Sequence, residues 1–254
     1  MMRMRTLCAG CLTERGGPMT DILYRGCTVP SRLPHIEAAV KYVLEKIGAN
    51  VPDMENEVCC MEPVGLRPMS LEAWKGAAAI IAGKAAGRRI VSICDGCTIS
   101  LDSASWHTGS EVIGFMELLH ERIDDIRREV MLESGLKLAL FPGCHCEAVC
   151  ERHGSSAVGI LSDIVSAAGA IPVRVKDSMC CGGGVSGVND ELSKKIREEA
   201  VNVFAESGVD AVVTSCPFCF VQFDSVARFR TYHVAEIVAT AMGWGADASS
   251  YHRA

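Results

Sequence analysis

The sequence predicts an α/β protein of two repeats, each a small and mainly parallel sheet flanked by helices. Two observations support this prediction: a pattern of five cysteines occurs twice, and the apolar and amphipathic segments between these cysteines recur in the same order. Strand-like segments alternate with helical ones, which is typical of right-handed βαβ crossovers. We therefore expect the repeats to be related by a pseudo-twofold axis, with the cysteine-bearing loops at their interface.

Ten of the fourteen cysteines belong to the repeated pattern. Each copy contains a single cysteine, then an adjacent pair, then a C-x-x-C motif. The first cysteine set is Cys27, Cys59, Cys60, Cys94 and Cys97, and the second cysteine set is Cys144, Cys180, Cys181, Cys216 and Cys219. The intervals agree, with 31 residues against 35 before the pair and 33 against 34 after it. Such agreement indicates an internal duplication.

The first half of each copy has the same predicted elements. Residues 22–27 and 139–144 are short apolar runs that end in Gly-Cys, as expected for a strand that ends at a ligand loop. Amphipathic segments follow at residues 36–47 and 158–168, and each is closed by a glycine, the usual end of a helix.

The second half of each copy also matches. A helical segment follows each cysteine pair, at residues 71–86 and 191–207. An apolar strand-like run then leads into each C-x-x-C motif, at residues 90–93 and 211–214. A last helix is predicted to close each copy, at residues 111–121 and 234–242.

These segments predict the organisation of the chain. It comprises an N-terminal extension or misassigned start (1–20), a first repeat (21–121), a charged connector (122–135), a second repeat (136–244) and a tail (245–254). Each repeat has a size common for domains. The extension contains Cys8 and Cys11, for which two free thiols or a metal-binding pair are both open interpretations.

Composition excludes several classes of protein. With 49% apolar and 22% charged residues, the 254-residue chain can bury a substantial core. A net charge of −6 and the lack of a basic block argue against a nucleic-acid surface. No apolar run approaches the roughly 20 residues of a membrane span, and no signal peptide is recognisable. We expect a cytoplasmic protein, in which thiols stay reduced and bind metal or act in redox chemistry.

Thiolates are soft ligands that favour iron-sulfur clusters, zinc or Cu(I). Structural zinc usually takes four ligands from two knuckles, whereas each set here has five cysteines and one C-x-x-C motif. Adjacent cysteines cannot easily chelate one tetrahedral ion, because successive side chains of an extended chain point to opposite sides. They can bind two irons of one cluster. The pattern therefore favours a cluster of unusual shape over zinc.

The motifs around these cysteines resemble the B subunit of heterodisulfide reductase, in the cysteine-rich or CCG domain family. The resemblance runs from about Asp21 to Trp244. Besides the Cys59-Cys60 pair, it rests on Gly26-Cys27-x-x-Pro30-x-Arg32-x-Pro34, Cys94-Asp95-Gly96-Cys97, Gly143-Cys144-His145, Cys180-Cys181-Gly182-Gly183-Gly184 and Thr214-Ser215-Cys216-Pro217-Phe218-Cys219.

This resemblance implies a function, its cofactors and its partners. Each set would hold one non-cubane [4Fe-4S] cluster. The mixed disulfide of coenzyme M and coenzyme B would be reduced to two thiols between the two clusters. Electrons would come from an A-type subunit with flavin and iron-sulfur centres, through a ferredoxin-like C-type subunit.

Four further residues stand next to the predicted ligands. Arg32 and His145 match motif positions of the family and are candidates for binding an anionic substrate or donating hydrogen bonds to cluster sulfur, or for fixing the loops through backbone carbonyls. Cys146 and Cys150 are not required by the repeat, and they are either alternative ligands or small core residues. The first cysteine pair is followed by Met-Glu-Pro where the second has Gly-Gly-Gly, so we expect the two loops to differ in backbone freedom.

Two other functions stay open. The chain could be an electron-transfer or thiol-processing subunit of another assembly, such as thiol:fumarate reductase, a lactate or glycolate oxidation complex, or one of sulfur metabolism. It could also be a scaffold in which one degenerate set holds zinc. The presence of all ten cysteines argues against the scaffold.

Overall fold

The structure, a computed structural model, describes residues 20–175 and 179–253. Strands and helices of the first repeat alternate along the chain. They are β1 (Ile22–Tyr24), α1 (Thr28–Arg32), α2 (Pro34–Lys46), a π-helix (Glu62–Leu66), α3 (Arg67–Met69), α4 (Leu71–Gly83), β2 (Ile90–Ser92), α5 (Asp95–Asp102), α6 (Ser105–Thr108), β3 (Val112–Gly114), α7 (Phe115–Glu121) and α8 (Ile123–Glu129).

The second repeat follows a similar order with an additional strand, β5 (Ile171–Val173). Its elements are β4 (Lys137–Leu140), α9 (Cys144–Arg152), α10 (Ala157–Ala167), β5 (Ile171–Val173), a 3-10 turn (Gly183–Val185), α11 (Asp190–Glu206), β6 (Ala211–Thr214), α12 (Pro217–Asp224), β7 (Arg230–His233), α13 (Val234–Ala241) and a 3-10 turn (Ser249–Tyr251). Helices α4 and α11 occupy equivalent places in the two repeats, and their N-caps are alike. Ser70 caps α4 and Asn189 caps α11, and each side chain accepts the backbone N–H of the third residue of its helix.

Both sheets are parallel throughout. The first has the strand order β1-β2-β3 and the second the order β5-β4-β6-β7. Helices flank them, so the α/β prediction with two repeats is confirmed. Strands β3, β5 and β7 were not predicted, and residues 111–121, predicted as a helix, contain strand β3 before helix α7. The three residues of β3 are all buried, so they show no alternation of apolar and polar residues that would mark a strand. From the sequence they cannot be distinguished from the apolar residues of the helix that follows.

The parallel arrangement positions the cysteine loops. Strands β1 and β2 end just before Cys27 and Cys94, and strands β4 and β6 end just before Cys144 and Cys216. The carboxyl ends of parallel strands meet at one edge of a sheet, where α/β proteins commonly bind ligands. Each sheet therefore presents two members of one cysteine set at the same edge.

The repeats share a hydrophobic core. Helix α2 of the first repeat packs against α13 of the second, and the largest apolar cluster includes Ile36, Val40 and Val43 from one side and Val234 and Val238 from the other, all fully buried. Burial of each such side chain contributes roughly 1.5–3 kcal/mol. The two repeats are therefore held face to face by apolar packing. No helix in residues 20–175 or 179–253 is long and apolar enough to cross a membrane.

Candidate metal centres

The first cysteine set converges from three loops. Cys27 Sγ lies 3.8 Å from Cys59 Sγ. The thiol of Cys97 interacts with those of Cys60 and Cys94, and these interactions are the main reason that its pKa is raised well above the usual value. Because Cys59 and Cys60 are consecutive residues, the contact between Cys27 and Cys59 lies next to the group of Cys60, Cys94 and Cys97. The structure thus brings all five predicted ligands of this set together.

The second cysteine set converges in the same way. Cys181 interacts with Cys180 and Cys219, and Cys219 in turn interacts with Cys216. Cys144 lies within electrostatic range of Cys181 and Cys216. All five line one cavity of about 90 Å³, together with residues that include His145 and Phe218.

The two sets also have the same pattern of exposure. In each, the single cysteine and the first member of the pair are exposed, whereas the second member of the pair and both cysteines of the C-x-x-C motif are buried. The exposed residues are Cys27, Cys59, Cys144 and Cys180. Each set therefore has one side that faces solvent and one side that faces the protein interior.

In both sets a glycine lets the backbone approach a cysteine sulfur closely. Gly26 and Gly143, each just before the single cysteine, have φ angles of +74° and +92°. A Cβ at Gly26 would lie 3.0 Å from Cys97 Sγ, and one at Gly143 would lie 3.0 Å from Cys219 Sγ. A side chain at either position would press on a predicted ligand. Five soft sulfur donors next to a glycine-lined space fit an iron-sulfur cluster in each set.

Local backbone groups favour negative charge at the sulfurs. Cys94 and Cys216 are the N-cap residues of α5 and α12, where the helix dipole is positive. In the second set, Gly182 N–H donates to Cys180 Sγ at 3.3 Å and Gly183 N–H donates to Cys181 Sγ at 3.4 Å. Backbone donors of this kind stabilise thiolates and cluster sulfur.

Most of these thiols resist ionisation in the absence of a cation. Burial raises the pKa of Cys59 and the pKa of Cys144 to about 11. By contrast, hydrogen bonds from Cys180 and Cys219 lower the pKa of Cys181 to about 3. The second set thus accommodates one thiolate readily, because neighbouring thiols donate to it. Ionisation of the others requires nearby positive charge, which bound metal ions supply.

The buried sides of the two sets approach each other. Cys216 lies within electrostatic range of Cys94. Ser215 Oγ lies 2.7 Å from Asp95 Oδ2 and 3.0 Å from the carbonyl oxygen of Pro142. Burial raises the pKa of Asp95 to about 7, and the hydrogen bond that Ser215 donates to its carboxylate opposes this rise. This contact links the two C-x-x-C motifs, and the sequence assigned no role to either residue.

The loops after the two cysteine pairs are more alike than the sequence predicted. Met61 and Gly182, which directly follow the pairs, both adopt left-handed conformations, with φ of 59° and 78°. Beyond this position the loops differ, since a π-helix follows in the first repeat and a 3-10 turn in the second. The turn after the pair requires positive φ, and the first repeat uses it with a methionine despite a cost of about 1–2 kcal/mol.

Substitution of Gly182 by alanine is expected to destabilise the chain by at least about 2 kcal/mol, because the left-handed φ becomes strained and the new Cβ would lie 2.5 Å from the carbonyl oxygen of Ser193. Thermal unfolding should show a midpoint lower by about 4–8 °C. Gly187→Ala is the matched control, since a Cβ added there would have no heavy atom within 4 Å and the φ of Gly187 is not positive. Equal midpoints for the two variants would contradict this assignment.

The other candidate residues have different surroundings. Arg32 is the exposed last residue of α1, one turn after Cys27, and His145 lines the cavity of the second set. Cys146 and Cys150 are buried in the hydrophobic core, with their sulfurs 3.9 Å apart. Core packing is the interpretation that the structure favours for this pair. Cys8 and Cys11 lie outside the described residues.

Two contacts beside the sets were not predicted. Val64, from the π-helix of the first repeat, lies over Gly184, where a Cβ would be 3.2 Å from a Val64 methyl group. Phe218 packs against the apolar clusters around both sets. In the sequence, the only indication that Phe218 lies beside a cysteine set was its position inside the second C-x-x-C motif. Its contact with the opposite repeat depends on how the repeats dock, which the sequence does not specify.

Two of the known proteins that this chain is similar to are B subunits of enzyme complexes. The chain is 27% identical to the B subunit of a CoB-CoM heterodisulfide reductase from Methanosarcina acetivorans, over 89% of this chain and 90% of that protein. It is also 27% identical to the B subunit of fumarate reductase (CoM/CoB) from Methanothermobacter marburgensis, over 77% of this chain but 40% of that protein.

A solved structure shares the fold. The crystal structure of a hypothetical protein from Helicobacter pylori superposes with a TM-score of 0.69 at 14% identity, covering 90% of this chain and half of that one. The family model of the cysteine-rich CCG domain matches twice, over residues 22–102 and 138–224, so that each match includes one complete cysteine set. The chain therefore belongs to the cysteine-rich CCG domain family.

Proposed function

We propose that the chain is the iron-sulfur catalytic subunit of a heterodisulfide reductase-type complex, which reduces a mixed disulfide to two thiols. The observation that carries the proposal is the duplication of the complete site: two sets of five cysteines have the same pattern of exposure and approach each other through their buried sides. A disulfide likewise has two like sulfur atoms, and its reduction takes two electrons. Two equivalent centres suit that stoichiometry.

The residues that would hold the two clusters are the ten cysteines of the repeat. The first cysteine set would bind one non-cubane [4Fe-4S] cluster and the second cysteine set the other. When bound, the clusters supply one-electron redox centres and iron positions for substrate sulfur. Five thiols in each set, one more than a cubane cluster needs, are the feature that supports this cluster type.

The chain's own residues would control access and charge. Substrate would approach the exposed side of the sets, where Cys27, Cys59, Cys144 and Cys180 face solvent. His145 in the cavity wall and Arg32 on α1 would help to bind an anionic disulfide, which by family resemblance is that of coenzyme M and coenzyme B. Two electrons and two protons convert the disulfide into two thiols.

Partner subunits would deliver the electrons. The relatives in Methanosarcina and Methanothermobacter are named as B subunits, which supports assembly into a complex. We propose an A-type subunit with flavin and iron-sulfur centres, and a ferredoxin-like C-type subunit. A cytoplasmic location remains a prediction, as do the repeat boundaries at 21–121 and 136–244.

A second candidate is an electron-transfer subunit of another complex. It is favoured by the similarity to the B subunit of fumarate reductase (CoM/CoB), which covers 77% of this chain. In that case the same cysteines would hold clusters, and they would serve a different overall reaction. The candidates differ in whether this chain itself releases thiols.

The proposed function is tested with anaerobically prepared, iron-loaded protein, a reduced viologen as electron donor, and the mixed disulfide of coenzyme M and coenzyme B. We expect two viologen radicals to be oxidised and two thiols to be released for each disulfide. Symmetric disulfides of the two coenzymes serve as specificity controls. Iron-loaded protein in complex with its partners that releases no thiol would overturn the proposal and favour the electron-transfer role.

A further inference from the structure

Three buried side chains from distant parts of the chain meet away from the cysteine sets. His35 lies in the first turn of α2 in the first repeat, Glu236 lies in the first turn of α13 in the second, and His252 lies in the tail. The side chains of these three residues are 1%, 3% and 1% exposed. The hydrophobic contact between α2 and α13 therefore contains a polar centre.

The three side chains aim potential ligand atoms at one point. Glu236 Oε1 lies 2.9 Å from His252 Nε2 and 3.8 Å from His35 Nε2. One ligand atom from each residue can be chosen such that all three lie within 4.8 Å of one another. Bonds of about 2.0–2.2 Å to a tetrahedral ion place ligand atoms about 3.3 Å apart. Side-chain movements of about 1.5 Å or less would therefore complete the geometry.

His35 has an unsatisfied hydrogen-bonding capacity that a metal would use. Within residues 20–175 and 179–253, neither of its ring nitrogens has a hydrogen-bond partner. A neutral imidazole keeps a lone pair on one of its ring nitrogens. An unsatisfied buried polar group costs about 1–3 kcal/mol. A bound cation would accept that lone pair.

The surrounding groups hold the other two side chains in place. Glu236 Oε2 accepts the backbone N–H of His233 at 2.8 Å, which leaves Oε1 for the shared point. Asp224 Oδ1 accepts the backbone N–H of Arg253 at 3.1 Å and lies 3.8 Å from His252 Nδ1, near the ring nitrogen opposite Glu236 but beyond hydrogen-bond distance. A carboxylate behind a histidine is a common arrangement in metal sites, because it orients the ring and increases its basicity.

Aromatic rings shield this centre from bulk solvent. Tyr251 stacks on His35 with ring centroids 4.8 Å apart, and Phe220 lies 5.5 Å from both His35 and His252. In such a dry environment the carboxylate of Glu236 interacts strongly with positive charge. The occupant that satisfies two imidazoles and one carboxylate is a divalent cation.

We propose that His35, Glu236 and His252 form a mononuclear site for a divalent transition metal, with zinc as the expected ion, that fastens the C-terminal tail across both repeats. Two imidazoles and one carboxylate are a common zinc ligand set, with water completing the coordination. The site contains no thiolate, so it is chemically distinct from the cysteine sets. It does not depend on the proposed reductase activity.

The site is tested on anaerobically purified, iron-loaded protein given one equivalent of Zn²⁺ and then passed through a desalting column. We expect about one zinc per chain by elemental analysis. X-ray absorption at the zinc edge should show only nitrogen and oxygen neighbours at about 2.0–2.1 Å, with no sulfur at about 2.3 Å. Sulfur neighbours would place the zinc at the cysteines and overturn the proposal.

Variants provide an independent measurement. A chain that ends at Ser250 lacks Tyr251 and His252, and His252→Ala removes one ligand alone; each is expected to lower retained zinc about tenfold while the iron content stays unchanged. His120→Ala, which alters a far more exposed histidine, is the matched control and should keep zinc. Wild-type protein that retains no zinc, or a His252 variant that retains it fully, would instead identify the cluster as a buried Glu236-His252 ion pair.

Discussion

Replacement of Cys181 by serine is expected to remove about half of the iron from anaerobically reconstituted protein, leaving about four of eight irons per chain. The reason is that the two cysteine sets are separate groups of five thiols, and Cys181 interacts with two thiols of its own set, Cys180 and Cys219. Serine keeps the size of the side chain but replaces a soft ligand with a hard one. Iron and acid-labile sulfide assays on matched preparations measure the effect.

The control for this variant is Cys150→Ser. Cys150 is also buried, and it packs in the hydrophobic core outside the repeated pattern. The Cys150 variant should therefore keep all of its iron, with at most a modest loss of stability from the buried hydroxyl group. Loss of all iron from the Cys181 variant, or equal losses from both variants, would show that the two sets do not act as independent sites.

The second large effect concerns turnover. Replacement of Cys60 by serine is expected to lower disulfide reduction by at least about 100-fold, even though the second cysteine set stays intact. If each sulfur atom of the substrate binds to its own metal centre, loss of the first centre leaves one sulfur atom with no centre to bind it. Thiol release with reduced viologen as donor measures the rate, and iron analysis verifies that half of the iron remains.

Cys146→Ser provides the comparison for the Cys60 variant. It also removes a buried thiol, but Cys146 lies on α9 outside the predicted ligand set. We expect its turnover to stay within a few-fold of that of the unmodified protein. A Cys60 variant with near-normal thiol release would show that the first cysteine set is an electron relay or a structural remnant.

Much of the architecture could be predicted because the duplication is visible in the sequence. The order of strands and helices followed from two aligned copies, and residues 211–214 form strand β6 as predicted. The convergence of the single cysteines with the C-x-x-C motifs followed from their place after parallel strands. Strands β3, β5 and β7 were missed; β3 was read as part of a helix, since its three buried residues do not differ in pattern from the helix that follows them.

The details that were missed depend on contacts between the repeats. The Asp95-Ser215 contact joins residues 120 positions apart, and each stands in a cysteine motif where the neighbouring thiols dominate interpretation. His35, Glu236 and His252 have no characteristic spacing, because they come from the two repeats and the tail. The positive φ of Met61 was not foreseen, since methionine is not a residue that signals left-handed backbone.

The central claim is that each set of five cysteines holds one four-iron cluster. It is tested most directly by counting iron and acid-labile sulfide in anaerobically reconstituted protein, with X-ray absorption to identify the atoms around any zinc present. We predict about eight irons and eight sulfides per chain, with no zinc bound to sulfur. Four irons together with one zinc bound to cysteine sulfur would contradict the claim, because one set would then be a structural zinc site.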